Sequence, residues 1–306
     1  MKKIFAMMAA LVLAMSLCAY AAAEGADISG LKVTTPGGAP ALALAALAAE
    51  NPEQYTTVAA DTIAAAFAGK EADFIIAPLN AGAKLYKAGK STYKLAAVVS
   101  WGNLFFAAQK ELTQEDLKGS ITLFGENTIN ASVVLYALKE NGLEPAEVSY
   151  LAGASDTQSL LLSDENALVV TAEPALTAAR MKNDKITGIS VNELLKQANG
   201  MDGYAQAALF VKAETAESNP EAVAEFLKQA EEACGKCATD IDAVAEAAVE
   251  LEILPNAKVA ATAIPGCAIR FVSAKDAKEQ VEKTAQIDLS QFGGEVPADD
   301  FYYEAE

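Results

Sequence analysis

The chain has 306 residues, 52% of them apolar, so it is long enough and greasy enough to bury a large core in one or two domains. Its 41 Asp and Glu against 23 Lys and Arg give a formal charge of −18, which repels nucleic-acid phosphates and anionic lipid headgroups and argues against both as partners. It contains no histidine, which removes imidazole acid–base catalysis, Ser-His and Cys-His nucleophile pairs and imidazole metal sites.

Lys2 and Lys3 precede an apolar run over residues 4–17, and Ala19-Tyr20-Ala21-Ala22-Ala23 supplies small residues suited to a cleavage site. Residues 1–23 therefore read as an export signal cut after Ala23. The run is too short for a membrane anchor, which needs about 20 apolar residues. Cys18 offers lipid anchoring as an alternative, disfavoured because Leu17 and not a small residue precedes it. The mature chain is then expected to be soluble and exported, either periplasmic or at the outer face of the cytoplasmic membrane.

Residues 31–35 read as a strand, Pro36-Gly37-Gly38-Ala39-Pro40 as a tight turn, and residues 41–49 as an Ala/Leu-rich helix. A helix capped by Asp61 and ended by Gly69 leads to the apolar strand Asp73-Phe74-Ile75-Ile76-Ala77 and a second helix over 81–87. Strands at 95–99 and 104–108 follow. The pattern then restarts with a strand at 120–124, a polar turn at 125–130 and a helix closed by Gly142. A strand at 148–151, a helix at 157–162, a strand at 167–171 and a helix through Met181 complete the series. Residues 74–80 and 168–174, each an apolar strand running into a proline turn and a helix, suggest an internal duplication of pattern. After a strand at 207–211 the chain is mostly helical, with helices opened at Pro220 and Asp240 and others over 256–263 and 275–285. A short strand at 267–272 interrupts them, and the tail from Gly293 to Tyr303 reads as irregular. Alternating strands and helices in both halves imply an α/β fold with mainly parallel sheets.

The order of these elements resembles the solute-binding proteins of ABC importers in the nitrate/sulfonate/taurine and thiamine-precursor group. The residues that carry the resemblance are Asp73 to Asn80, Ala172-Glu173-Pro174, Ala263-Ile264-Pro265-Gly266-Cys267, and Gly293-Gly294-Glu295-Val296-Pro297 with Ala298 to Tyr303. The likeness covers essentially the whole mature chain. It implies a type II periplasmic-binding-protein-like fold, two lobes with a ligand cleft between them and two hinge crossings. Placing the crossings at 107–109 and 210–212 gives lobe one as 24–108 plus 212–306 and lobe two as 109–211. The resemblance also implies a monomer without cofactor that captures a small-molecule solute and hands it to ABC permease subunits in the membrane.

In open parallel sheets a ligand sits beyond the carboxyl ends of the strands, where helix N-termini offer unpaired N–H groups. Four loops meet that description, and they nominate Thr34, Thr35, Gly37 and Gly38, then Asn80 and Ala81, then Asn127 and Thr128, then Ala172 and Glu173 as ligand-binding residues. Thr35, Asn80 and Asn127 could equally cap the helices after them. Glu173 could accept hydrogen bonds from a ligand or stabilise its own helix. Trp101, the only tryptophan, could stack on a flat ligand, although filling the hinge core suits it slightly better; Ser100 and Asn103 beside it are weaker candidates. Arg180 lies about two turns into its helix, so a bidentate arginine clamp on a sulfonate or carboxylate is not favoured.

Cys234-Gly235-Lys236-Cys237 lies between two helices, and with Cys267 as the only other mature thiol and no histidine it does not complete a zinc site. An exported setting favours a disulfide of Cys267 with Cys234 or Cys237 over free buried thiols. Enzymes that synthesise the thiamine pyrimidine resemble these receptors but depend on a histidine, and adjacent Asp299-Asp300 cannot flank one substrate bond, so no catalytic residue is nominated. A binding module that signals to a sensor protein is the remaining alternative.

Overall fold

The computed structural model describes residues 25–304; the export signal and Cys18 lie outside the described residues. Four strands open the fold: β1 (Val33–Pro36), β2 (Tyr55–Val58), β3 (Phe74–Pro78) and β4 (Tyr93–Ser100). Five more follow: β5 (Leu104–Ala108), β6 (Ser120–Phe124), β7 (Glu147–Leu151), β8 (Val169–Ala172) and β9 (Thr187–Ser190). The chain then returns with β10 (Ala207–Lys212) and β11 (Ile269–Ser273). The first sheet has the order β11-β4-β10-β3-β1-β2 and the second β7-β6-β8-β5-β9.

The sheets are mixed, where the sequence predicts mainly parallel ones. β1 lies parallel to β2 and β3, and β6 parallel to β7 and β8. The strands that arrive from the other sheet run against these. β10 enters with Ala207 opposite Pro78, at the end where β3 finishes, and β5 enters with Leu104 opposite Ala172, at the end where β8 finishes. Each therefore pairs antiparallel, as the chain must when it steps between sheets at the ends that face each other.

The sheet changes at residues 101–103 and again at 200–206, not at the predicted 107–109 and 210–212. The strand 104–108, assigned to lobe one from sequence, pairs in the second sheet, and 207–211, assigned to lobe two, pairs in the first. Both strands are apolar and look like simple continuations, so the polar residues after them mislead. The true crossings carry Gly102 at φ +90° and Gly203 at φ +95°. A Cβ at Gly203 would collide with the Trp101 carbonyl, and one at Gly102 with Asn192 and Tyr204. The two crossings touch, and only glycine allows it.

Trp101, Leu104 and Tyr204 belong to one apolar cluster that runs from Ile75 and Leu95 in the first sheet to Ile121 and Leu123 in the second. The helices Pro220–Thr239 and Ile241–Glu250 pack back on the first sheet and its helices, with Phe226 stacked on Phe74 at 4.0 Å between ring centroids. The tail is packed and not loose. Phe301 is buried against Tyr86 and Phe210, the Tyr303 N–H donates to the Leu95 carbonyl at 2.8 Å, and Lys87 holds the Gly293 carbonyl at 2.7 Å.

Among the strands and α-helices, four escape the sequence: the four-residue edge strands β2 and β9 and the helices Val191–Asn199 and Ala213–Ser218. Cys234, Cys237 and Cys267 are all free and buried. Burial is the main cause that pushes their thiols up, to about 12 at Cys237, so they stay protonated and unreactive at neutral pH. No helix among the described residues is long and apolar enough to cross a membrane.

Candidate functional site: a cleft between the two sheets

A cavity of about 490 Å³ opens where the facing ends of the two sheets meet. From the first sheet it takes the turn Pro36 to Pro40 after β1 and Pro78, Asn80 and Ala81 after β3. From the second it takes Phe124 and Thr128 to Asn130 after β6, Ala154 after β7, and Ala172 to Ala175 after β8. The crossings supply Asn103 and Gln206, and the C-terminal part supplies Gln291. These are loops at strand ends leading into helix N-termini, where backbone donors are left over.

The nominated residues divide. Gly37, Gly38, Asn80, Ala81, Thr128, Ala172 and Glu173 line the cavity. Thr34 and Thr35 do not: Thr34 faces a separate surface groove, and Thr35 is buried with its hydroxyl donating to the Pro36 carbonyl at 3.1 Å. Alternation along β1 sends the two to opposite faces of the sheet, and the cleft, which lies beyond the end of the strand, meets only the turn that follows. Ser100 is buried and donates to Gln206 Oε1 at 3.2 Å. Trp101 fills the crossing: it is 2% exposed, its indole N–H donates to the Arg270 carbonyl, and the Arg270 guanidinium covers its ring at 4.5 Å. Asn127 sits at φ +59° outside the cavity, and its carbonyl accepts from Gln291.

Neither suspected asparagine is a cap. Asn80 is the second residue of the helix Leu79–Lys87 and makes no side-chain hydrogen bond to any described residue. The cap of the helix Ile129–Glu140 is Thr128, whose hydroxyl accepts from the Ala131 N–H at 3.4 Å.

Glu173 is 4% exposed, and its carboxylate accepts from the backbone N–H of Thr177 at 3.0 Å and the hydroxyl of Thr177 at 2.9 Å. Burial pushes its pKa up, and the two Thr177 hydrogen bonds and the Arg180 charge only partly offset this. A Cβ at Gly266 would stand 2.8 Å from Glu173 Cγ, so the turn Ile264–Cys267 closes over this carboxylate and requires glycine there.

Of the two amides that flank the crossings, Asn103 is a weaker candidate from sequence and Gln206 is missed. Asn103 Nδ2 donates to the Glu173 carbonyl at 2.7 Å, and the Glu173 N–H returns to the Asn103 carbonyl at 2.9 Å. Gln206 Nε2 donates to Asn103 Oδ1 at 2.9 Å and reaches Asn130 Oδ1 at 3.5 Å, which also accepts from Tyr204 at 2.8 Å. Their signal lies in the polar residues flanking each crossing, which becomes readable only once the crossings are correctly placed.

Among the described residues that line the cavity, Glu173 is the only ionisable one. The rest is a ring of amides and one hydroxyl around apolar walls of proline, alanine, Ile129 and Phe124. Such a site can orient a small organic molecule by hydrogen bonds; it offers no guanidinium or ammonium to clamp an anion.

A two-sheet α/β fold with a cleft at the facing strand ends is the fold of periplasmic solute-binding proteins. Solved structures agree. An ABC transporter protein from Parabacteroides distasonis superposes with a TM-score of 0.78 at 23% identity, over 90% of this chain and 99% of that one. The periplasmic aliphatic sulphonate binding protein SsuA from Escherichia coli gives 0.70 at 17% identity, over 90% and 92%. The alkanesulfonate-binding protein SsuA from Xanthomonas axonopodis pv. citri, bound to MOPS, gives 0.64 at 14%, over 89% and 97%. No family model and no curated protein matches the sequence.

Proposed function

We propose that the chain is an exported receptor that captures a small organic solute between two lobes and delivers it to the permease of an ABC importer. The observation that carries this reading is the 490 Å³ cavity built from strand-end loops of both sheets, since a ligand there touches both and favours the closed arrangement by its differential affinity. The lobes on this reading are 25–100 with 207–304, and 104–199, joined by the crossings at 101–103 and 200–206. The paired glycines Gly102 and Gly203 give the crossings the backbone freedom that a hinge uses. Residues 1–23 serve as the export signal. The chain acts as a binding protein without catalysis, because the cavity offers one buried carboxylate and no partner for acid–base work.

A thermal-shift screen of the mature chain against small metabolites tests this. A true ligand at a hundred times its dissociation constant adds roughly 2.7 kcal/mol of stability. Asn80→Ala then weakens that ligand about tenfold with an unchanged melting temperature of the free protein. A broad screen without any hit, or a hit indifferent to Asn80→Ala and to other cleft substitutions, contradicts the reading.

A further inference from the structure

The hydrogen bonds of the hinge amides have a fixed direction. A backbone carbonyl only accepts, so the Glu173 carbonyl forces Asn103 to present Nδ2 to it and Oδ1 away from it. Asn103 Oδ1 in turn forces Gln206 to present Nε2, whose second hydrogen points at Asn130 Oδ1, while Gln206 Oε1 is taken by the Ser100 hydroxyl. The Gln206 backbone is itself pinned, its N–H on the Ser100 carbonyl at 3.0 Å and its carbonyl under the Leu79 N–H at 3.0 Å. Tyr204, fully buried, donates the second hydrogen bond to Asn130 Oδ1. Both acceptor positions of Asn130 are thereby filled, and its Nδ2 has no partner among the described residues. Asn130 lines the cleft, so an amide donor of fixed polarity faces the space a solute would occupy.

The charge of the surroundings restricts what that donor meets. The helix Leu79–Lys87 opens on the same cavity with no side-chain cap, which adds backbone donors. An ammonium head would meet these donors and find as its one ionic partner the Glu173 carboxylate, which already accepts from the N–H and the hydroxyl of Thr177. An anionic head would lie in a cavity with no Lys or Arg and with the Glu173 carboxylate in its wall. We propose that Asn130 is the specificity-determining donor of the cleft and that it selects a solute with an uncharged acceptor head, of carboxamide or lactam type, over sulfonates and amines of equal size. This rests on the solute-capture reading above and narrows it. It sets the chain apart from the two structural neighbours described as sulfonate binders.

Four six-carbon probes, caprolactam, hexanamide, hexane-1-sulfonate and hexylamine, separate the possibilities by calorimetric titration of the mature chain. The lactam and the amide are expected to bind at least about tenfold more tightly than the sulfonate and the amine. Asn130→Asp, which swaps the donor for an acceptor at equal size, is expected to weaken the two amides at least about tenfold and to narrow or reverse their margin over the amine. Tyr204→Phe frees Asn130 to rotate and is expected to shrink the amide-to-amine ratio, a readout independent of any loss of stability. Equal or tighter binding of the sulfonate overturns the head-group assignment while leaving solute capture standing. So does unchanged amide affinity in Asn130→Asp, or silence of all four probes. Solute capture itself falls only with the broad screen.

Discussion

Glu173 is pulled two ways, by burial that disfavours its charge and by Thr177 and Arg180, which favour it; burial wins, and its folded pKa lies above the usual 4.5. The sign of the pH dependence follows. Below 4.5 the carboxyl is protonated folded or unfolded, and its stabilising contribution is fully present. That contribution is lost as the pH rises through the raised folded value, because ionising the buried group costs more than ionising it in the unfolded chain. The melting temperature of the wild type minus that of Glu173→Gln is therefore expected to fall between pH 4 and neutrality, roughly the window above the unfolded value; a difference that rises or stays flat contradicts it. Seven of the twelve nominated residues line the cleft, because strand-end loops are recognisable from apolar runs that stop at proline or glycine. The failures have a common cause. Thr34, Ser100 and Trp101 are polar or aromatic residues next to the right loops, but pleating or the crossing turns them away, and a sequence carries no direct record of that direction.

The two crossings show how an element is read wrongly when its surroundings are apolar on both sides. β5 and β10 are buried apart from their partly exposed Phe105 and Lys212, so nothing in their composition tells which sheet they join. The decisive feature is a pair of glycines, Gly102 and Gly203, at positive φ and in mutual contact through the Trp101 carbonyl. Gly203→Ala is expected to cost about 1–3 kcal/mol, because it combines a disfavoured backbone with a collision against a carbonyl that cannot move aside. Urea unfolding measures it, and a loss below a few tenths contradicts the account of this joint. By contrast β2 and β9 are absent from the sequence reading because four-residue edge strands hold too few alternating positions to declare themselves. The helix Val191–Asn199 was equally silent, although its cap is an ordinary one, Ser190 accepting from the Asn192 N–H at 3.2 Å.

For the molecule as a whole, segments distant in sequence also link elements that pack on different sheets. Asp288 accepts from Ser132 of the helix Ile129–Glu140 at 2.7 Å, and Gln291 donates to the Asn127 carbonyl at 3.0 Å. Burial opposes the charge on Asp288, yet the hydrogen bonds from Ser132, Ser290 and Gln291 outweigh it and hold the carboxyl below its ordinary range. The α/β architecture was legible because most of its strands and helices announce themselves; the contacts that bring them together are set by tertiary packing. Those contacts leave a cavity with walls from both sheets, and the central claim is that a solute occupies it. Blocking it is the most direct test. Ala81→Trp places an indole in the cavity from the first turn of the helix Leu79–Lys87, at a partly exposed position where the core is untouched. Calorimetric titration of a solute that binds the wild type is predicted to give no heat of binding with this variant, with its thermal unfolding unchanged; binding at wild-type affinity would mean that the solute sits elsewhere and the account is wrong.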